Sequence, residues 1–190
     1  MTTPAPVAVI IFGSPAAGKD AITTAVAGQN PRFRLFRKLK VGGGRTDGYR
    51  IGTHADANAL KGSGAVLSEV HRYGCRYIVD GAELAALFRA GFIPIIHTAD
   101  TDEFSTLTHT PWFRGVGIHL HTTREEAIRR LTRRDPDDVP GRLDVWDRVE
   151  ATLRRTPIHP EMAWDTTQTP VEESAKLVID TVEHLADKTL

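Results

Sequence analysis

The stretch Gly13-Ser14-Pro15-Ala16-Ala17-Gly18-Lys19-Asp20 decides the fold of this chain. It follows an apolar run at 7–12 and precedes a helix-compatible run at 21–27. A strand, a glycine-rich turn and a helix in this order form the context that a phosphate-binding loop requires. The spacing matches G-x-x-x-x-G-K, with Asp20 at the position where Ser or Thr is usual. An ordinary glycine-rich turn after a strand is the alternative interpretation.

The chemistry of this phosphate loop (residues 13–20) follows from its backbone. Glycines let the chain curl so that successive N–H groups point inward at phosphate oxygens. The following helix adds its unpaired N–H groups and the positive end of its dipole. Lys19 then reaches the outer phosphates of a nucleotide. Asp20 lacks a hydroxyl, but its carboxylate is a hard oxygen ligand for magnesium, directly or through water.

Bulk composition excludes several function classes. A chain of 190 residues suits one compact domain, and its net charge of zero does not favour a nucleic-acid partner. The single Cys75 excludes an intramolecular disulfide and a zinc site of cysteines. The run at 7–12 is typical of a core strand rather than a signal peptide, and no stretch is long enough to span a membrane. We therefore expect a cytoplasmic location and no membrane partner.

Apolar periodicity and turn residues predict an alternation of strands and helices. Strands are predicted at 7–12, 33–39, 65–70, 76–79, 92–97, 115–121 and 162–166, and helices at 18–27, 56–60, 81–89, 102–107, 125–134, 142–155 and 170–187. Pro94 indicates that its strand is irregular or near an edge. This alternation predicts an α/β fold with a mostly parallel sheet, whose ligand lies at the carboxyl ends of the strands.

Residues 32–50 form a basic excursion from this pattern. They carry seven cations against the single acid Asp47, and a Gly42-Gly43-Gly44 run; the cations are Arg32, Arg34, Arg37, Lys38, Lys40, Arg45 and Arg50. Two interpretations remain open: a solvated charged face, or a mobile segment that binds an anion.

A second cluster of cations lies between residues 124 and 155, where nine arginines accompany eight acids. A surface mesh of salt bridges is one interpretation. The other is a lid, because two predicted helices flank the polar, helix-breaking stretch 135–141. Phosphoryl transfer needs cations that arrive on closure and exclude water. Arg130 and Arg134 share one helix face, and Arg142 opens the returning helix.

These motifs together resemble the guanylate kinase family, and the Gly-Lys-Asp of the loop resembles its branch of ribose 1,5-bisphosphate phosphokinases. Further likeness lies in Glu69 and Tyr77 around Gly74, in 91–96, in Arg130-Leu-Thr-Arg-Arg134 and in 139–143. The resemblance implies a P-loop NTPase fold with a small acceptor-binding insertion and a helical lid. It divides the chain into a core (1–31, 81–122 and 156–190), an acceptor-binding subdomain (about 32–80) and a lid (about 123–155).

The resemblance also implies site residues. Mg²⁺ and ATP would bind the phosphate loop and its helix through Gly13, Ser14, Ala16, Ala17, Gly18, Lys19, Asp20 and Ala21, with Asp20 toward the metal. Adenine would lie near Arg130 or the turn at 164–166. The catalytic cations would be Lys19, Arg130, Arg134 and Arg142. The acceptor would contact Arg37, Arg45, Tyr49, Tyr77 and, where the family reads guanine, Glu69 and Asp100. A salt bridge for Glu69 and a helix cap for Asp100 are the alternatives.

Two departures concern the acceptor half. The family's Thr-Thr-Arg-x-x-Arg segment is replaced by Leu35-Phe36-Arg37-Lys38, and its Tyr-Gly-Thr by Tyr77-Ile78-Val79. We therefore expect an ATP-dependent kinase, monomeric or homodimeric, whose acceptor is GMP or another nucleoside monophosphate, or a sugar phosphate such as ribose 1,5-bisphosphate. A non-catalytic guanylate-kinase-like binding module and a regulatory nucleotide hydrolase are the alternatives. Among eight histidines, His97 alone follows a predicted strand near the site, with a structural role as its alternative.

Overall fold

A computed structural model describes residues 5–135, 137 and 139–187. Residues 1–4 and 188–190 of the predicted core, and Pro136 and Asp138 of the predicted lid turn, lie outside it. The strands are β1 (Val7–Phe12), β2 (Phe33–Leu35), β3 (Leu39–Val41), β4 (Arg50–Ile51), β5 (Val66–Arg72), β6 (Cys75–Asp80), β7 (Ile93–Thr98), β8 (Arg114–His121) and β9 (Met162–Asp165). The helices are α1 (Lys19–Gln29), α2 (His54–Gly62), α3 (Gly81–Arg89), α4 (Thr101–Thr108), α5 (Arg124–Arg134), α6 (Val139–Arg155) and α7 (Val171–Asp187).

The main sheet has five parallel strands in the order β2-β7-β1-β8-β9. Its central strand β1 is buried on both faces, which its uninterrupted apolar sequence requires. Val9 and Ile11 belong to a core cluster shared with α1 and α7, whereas Ile10 and Phe12 belong to one shared with α3, α4 and α6. The predicted α/β fold, a mostly parallel sheet flanked by helices, is confirmed.

The single strand predicted at 33–39 is two strands in two different sheets. Phe33 is buried in the α1 and α7 cluster, Phe36 in the cluster on the opposite face, and Leu39 in a third core. Because these side chains serve three cores, the chain leaves the main sheet after β2 and enters a second sheet at β3. The segment Phe33–Leu35, assigned by sequence to the acceptor subdomain, therefore lies at the edge of the main sheet.

Pro94 predicts a strand that is less regular or nearer an edge, and its strand β7 is the second strand from the edge of the main sheet. Strand β7 lies between β2 and β1. Its pairing with β1 begins at Ile95, and Ile93 donates its N–H to Arg32 O on the β2 side. No ladder bond in this region requires the N–H that proline lacks.

The second sheet has the order β4-β3-β6-β5 and lies over its own small core of Leu39, Val41, Ala57 and Ile78. Strands β5 and β6 form an antiparallel hairpin. Both residues of its tip have positive φ, 52° for Tyr73 and 68° for Gly74. Positive φ at both central residues is the signature of a type I′ hairpin turn.

The two helices predicted as a lid differ in how they are held. Helix α6 begins at Val139, three residues earlier than predicted, with Pro140 in its first turn, where proline is tolerated. Val145 and Val149 of α6 are buried in the same core as β1. Most of α6 therefore packs on the main sheet. Only the end of α5 and the start of α6 border the cleft that is described below. Within the described residues, no helix is both long and apolar enough to cross a membrane.

Candidate active site

The phosphate loop curls between β1 and α1 as its glycines predict. Gly13 donates its N–H to Thr98 O at 3.1 Å, and a Cβ at Gly13 would lie 2.9 Å from the Cβ of Ala17. Ala16 and Gly18 both have positive φ, 64° and 92°. These close approaches and left-handed positions produce the tight curl that a phosphate-binding loop requires.

The amino terminus of α1 and Lys19 complete this anion site. Gly18 is the N-cap of α1 and provides no capping side chain, so the first-turn N–H groups are open to a phosphate. The Nζ atom of Lys19 donates to the carbonyl oxygens of Gly13 and Ser14. Burial lowers the pKa of Lys19 to about 8, against the opposing charge of Asp20. The nearby cations Arg72, Lys38 and Arg142 contribute to the same lowering of the pKa.

The remaining side chains of the loop have separate roles. Ser14 is buried, and its hydroxyl donates to Glu150 Oε1 at 2.5 Å, which ties the loop to α6. Ala21 is exposed in the first turn of α1. The residues predicted to bind ATP are contiguous from the end of β1 into the first turn of α1, and of this stretch Pro15, Lys19 and Asp20 line the cleft.

Asp20 has a different neighbour at each carboxylate oxygen. Its Oδ2 accepts a hydrogen bond from Arg45 Nη1 at 2.9 Å, and its Oδ1 lies 3.5 Å from His97 Nδ1. The other ring nitrogen of His97 lies 2.7 Å from the Thr23 hydroxyl. His97 first, and then Arg45, hold the pKa of Asp20 well below its usual range, although burial opposes them.

An ionised carboxylate here fits a magnesium ion. The Asp20 side chain is 54% exposed and lines the same cleft as Lys19. Magnesium in such sites is held by one or two carboxylates, waters and substrate phosphates rather than by an all-protein cage. Asp20 supplies the carboxylate, and the adjacent phosphate loop would supply the phosphates.

Arg130 connects three segments of the chain by hydrogen bonds. Its guanidinium donates to Glu126 Oε1 at 2.6 Å, to Ala16 O at 3.0 Å, and to Thr166 Oγ1 and O at 3.0 and 2.8 Å. Helix α5, the phosphate loop and the turn after β9 therefore meet at one side chain. The two positions predicted for adenine, Arg130 and the turn at 164–166, are parts of this single contact.

A cleft of about 940 Å³ opens between the phosphate loop, the second sheet and the ends of α5 and α6. Its cationic lining consists of Lys19, Lys38, Lys40, Arg45, Arg72, Arg134 and Arg142. Three of its acids already have partners, because Glu103 pairs with Lys38, Asp20 with Arg45, and Asp100 caps α4. The Arg142 guanidinium lies 5.3 Å from the Tyr73 ring, so the α6 rim meets the hairpin tip across the cleft.

The structure brings four of the six predicted acceptor residues to the cleft: Arg45, Tyr49, Tyr77 and Asp100. The Tyr49 and Tyr77 rings lie 5.4 Å apart, and burial raises the pKa of both. Asp100 Oδ1 accepts from the N–H groups of Asp102 and Glu103, so it is also the helix cap of the alternative interpretation.

Arg37 and Glu69 do not line the cleft. Arg37 is exposed and donates to Tyr49 O at 2.7 Å. Glu69 accepts from Arg76 Nε at 2.6 Å and pairs with His71, the salt-bridge alternative. Side chains alternate along β5, and its cleft-facing residues are Val70 and Arg72, so Glu69 lies on the other face.

Three cleft cations were not among the predicted site residues. Lys38 forms a 2.6 Å ion pair with Glu103, and both are buried. Lys40 is buried and donates to Gly43 O at 2.5 Å and Arg45 O at 2.7 Å, which fixes the glycine loop (residues 42–48). Arg72 precedes the hairpin tip and donates to Ala99 O. Composition had marked Lys38 and Lys40, but only strand alternation could have indicated Arg72.

Two solved structures of kinases share this architecture. Guanylate kinase from Anaplasma phagocytophilum has a TM-score of 0.66 at 13% identity, over 97% of this chain and 88% of that one. A gluconokinase from Sinorhizobium meliloti 1021 has a TM-score of 0.53 at 16% identity, over 98% of this chain and 97% of that one. The chain shares the α/β fold of these two kinases. At these identities the likeness concerns the fold alone, and neither the known protein-family models nor the curated protein sequences contain a match.

Proposed function

We propose that the protein is an ATP-dependent phosphotransferase that moves the γ-phosphoryl group of ATP to a phosphate group of a small molecule. One observation carries this proposal: the phosphate loop and a second group of cations open onto the same cleft. One anion site alone would suit a nucleotide-binding module, whereas two facing sites suit a donor and an acceptor. Both structural neighbours are kinases.

The proposed division of the chain follows the structure from donor to acceptor. The main sheet and phosphate loop hold the nucleotide, the second sheet serves as the acceptor-binding subdomain, and the ends of α5 and α6 serve as the lid. Asp20 would hold magnesium, which when bound neutralises phosphate charge and aligns the transferring group. Arg130 would position the phosphate loop rather than arrive with the lid.

The acceptor phosphate is already anionic, so its attack on the γ-phosphorus needs no strong general base. Lys19 lines the cleft next to the phosphate loop, and Arg134 and Arg142 line it from the ends of α5 and α6. Cations in these positions stabilise the charge spread over the transferring group in the transition state. Arg45, Arg72 and the Tyr49–Tyr77 pair are placed to hold the acceptor.

The acceptor is proposed to be a nucleoside monophosphate such as GMP or a sugar phosphate such as ribose 1,5-bisphosphate. Glu69 is engaged by Arg76 and lies outside the cleft, which leaves Asp100 as the remaining carboxylate predicted to read guanine. The cleft is rich in cations instead. This distribution supports a phosphate-rich acceptor more strongly than a base-reading site.

An acceptor panel with Mg·ATP tests the proposal. GMP, dGMP, other nucleoside monophosphates and ribose 1,5-bisphosphate are each incubated with the protein, and ADP release is measured with and without acceptor. We expect acceptor-dependent turnover that Lys19→Ala abolishes and that Lys61→Ala, an exposed lysine on α2, leaves unchanged. Folded protein that turns over none of them contradicts the proposal, and ADP release without any acceptor indicates a hydrolase.

A further inference from the structure

The ion pair between Arg45 and Asp20 connects the glycine loop to the phosphate loop. Arg45 Nη1 lies 2.9 Å from Asp20 Oδ2, and the two side chains are 33% and 54% exposed. Both residues line the cleft. One member was predicted to bind the acceptor and the other to bind the metal, so the pair joins the two proposed substrate sites directly.

The backbone that carries Arg45 is held in place independently of this pair. Lys40 Nζ donates to Gly43 O and to Arg45 O, and the Cys75 thiol contacts Gly43 O at 3.4 Å. A Cβ at Gly42 would lie 2.6 Å from Cys75 Sγ, so this close approach requires glycine. Because Lys40 and Cys75 hold the backbone of the glycine loop, the Arg45 side chain can change partners without movement of the loop.

The Asp20 carboxylate is also held independently of Arg45. The His97 side chain is only 17% exposed, and its ring is held by the 2.7 Å contact with the Thr23 hydroxyl. The other ring nitrogen faces Asp20 Oδ1, so the His97 contact and the Arg45 contact use different oxygens. Release of Arg45 therefore leaves Oδ2 available while the carboxylate keeps its orientation.

We propose that Arg45 is a resident counter-ion, which a divalent cation bound with the nucleotide displaces from Asp20 Oδ2, and that the freed guanidinium then binds the acceptor phosphate. This rests on the proposed function, since it requires the metal site at Asp20. A guanidinium and a divalent cation repel each other and compete for one oxygen. The exchange makes nucleotide binding prepare the acceptor site.

Calorimetric titration with ADP tests this exchange without turnover. The dissociation constant is measured in Mg²⁺ and in EDTA for the wild type, Arg45→Gln, Asp20→Ser and the double variant. Loss of a cation near phosphates weakens ADP binding in EDTA. In Mg²⁺, Arg45→Gln also removes the competitor of the metal at Asp20, so the loss of ADP affinity is smaller than in EDTA or is reversed. We expect the effects of Arg45→Gln on the dissociation constant in the two conditions to differ by a factor of about two to five, which corresponds to the energy of a half-exposed ion pair.

The Asp20→Ser background distinguishes competition from a general charge effect. Serine restores the usual metal-ligating hydroxyl but carries no charge for Arg45 to pair with. In that background we expect Arg45→Gln to change ADP affinity equally in Mg²⁺ and in EDTA. Arg45→Lys should behave more like the wild type. Arg37 lies outside the cleft, so the effect of Arg37→Gln on ADP affinity should be the same in Mg²⁺ and in EDTA.

Two results overturn the inference, and they are distinguishable. The first is that Arg45→Gln has the same Mg²⁺-specific effect in the Asp20→Ser background, or has none in the wild-type background while Mg·ADP still binds. Either outcome shows that Arg45 does not compete with the metal at Asp20. An absence of magnesium-dependent ADP binding by folded wild-type protein removes the proposed function itself, and the inference with it.

Discussion

Arg130 and Arg134 were predicted as a pair of lid arginines, and the structure predicts different consequences of removing each. Arg130 contacts Ala16 and Thr166 with three hydrogen bonds that leave its own helix. Arg134 is exposed at the end of α5 and lines the cleft. We expect Arg130→Ala to be a stability variant with a secondary effect on nucleotide binding, and Arg134→Ala to be a catalytic variant of normal stability.

The magnitude for Arg130→Ala follows from those three bonds. A net contribution of about 1 kcal/mol for each gives a loss of about 3 kcal/mol. In a domain of this size each kcal/mol shifts the melting temperature by about 2–4 °C, so Tm falls by about 6–12 °C. The carbonyl oxygens of Ala16 and Thr166 lose a donor, which loosens the phosphate loop and weakens ADP binding.

The assay compares thermal unfolding, ADP titration and turnover in the two variants. Arg134→Ala should keep its Tm to within about 2 °C, as exposed substitutions do, while kcat falls by about 100-fold or more. The reasoning is refuted if Arg130→Ala melts within 2 °C of the wild type, or if Arg134→Ala melts as low as Arg130→Ala.

Three further predictions concern the buried and paired charges. Lys38→Met should lower the free energy of unfolding by about 3–5 kcal/mol, because it leaves the buried Glu103 without its cation. In denaturant titration, the double variant Lys38→Met/Glu103→Leu should recover much of that loss, and the absence of any recovery would contradict the prediction. Burial lowers the pKa of Lys19 to about 8 from the ordinary 10.5, so between these values the unfolded chain binds the extra proton and stability rises with pH. The melting temperature of the wild type should therefore rise relative to Lys19→Met over that window, and a constant difference between the two would be the opposing result. Glu69→Gln should leave the acceptor KM unchanged, because Glu69 lies outside the cleft, and a large rise in KM would show that it reaches the acceptor.

Much of the fold could be predicted because its signals are local. The apolar run of β1 and the glycines of the phosphate loop are each recognised from a few neighbouring positions. The strand predicted at 33–39 failed because its apolar residues serve three cores that lie far apart in sequence. Periodicity records that a side chain is buried but not which core receives it.

The site divides in the same way. Lys19 and Asp20 belong to a contiguous motif, so their neighbourhood could be predicted. Whether Arg37 or Lys38 faces the cleft depends on where β2 ends, and that end is set by pairing with β7. The face of the second sheet on which Glu69 lies depends on the register of the β5–β6 hairpin. These are non-local facts, and one sequence does not contain them in readable form.

The second sheet has a property that bears on how the acceptor range of such a chain can change. Its entry strand β3 and exit strand β6 are paired, with Leu39 opposite Ile78, so the two ends of the segment lie side by side. It also has its own small core with α2. A segment with adjacent ends and an independent core can be lengthened, shortened or grafted from another chain without a change in the register of the main sheet. If the second sheet contributes to acceptor binding, as proposed, then exchange of the segment between residues 38 and 80 would change that part of the cleft while the phosphate loop is retained.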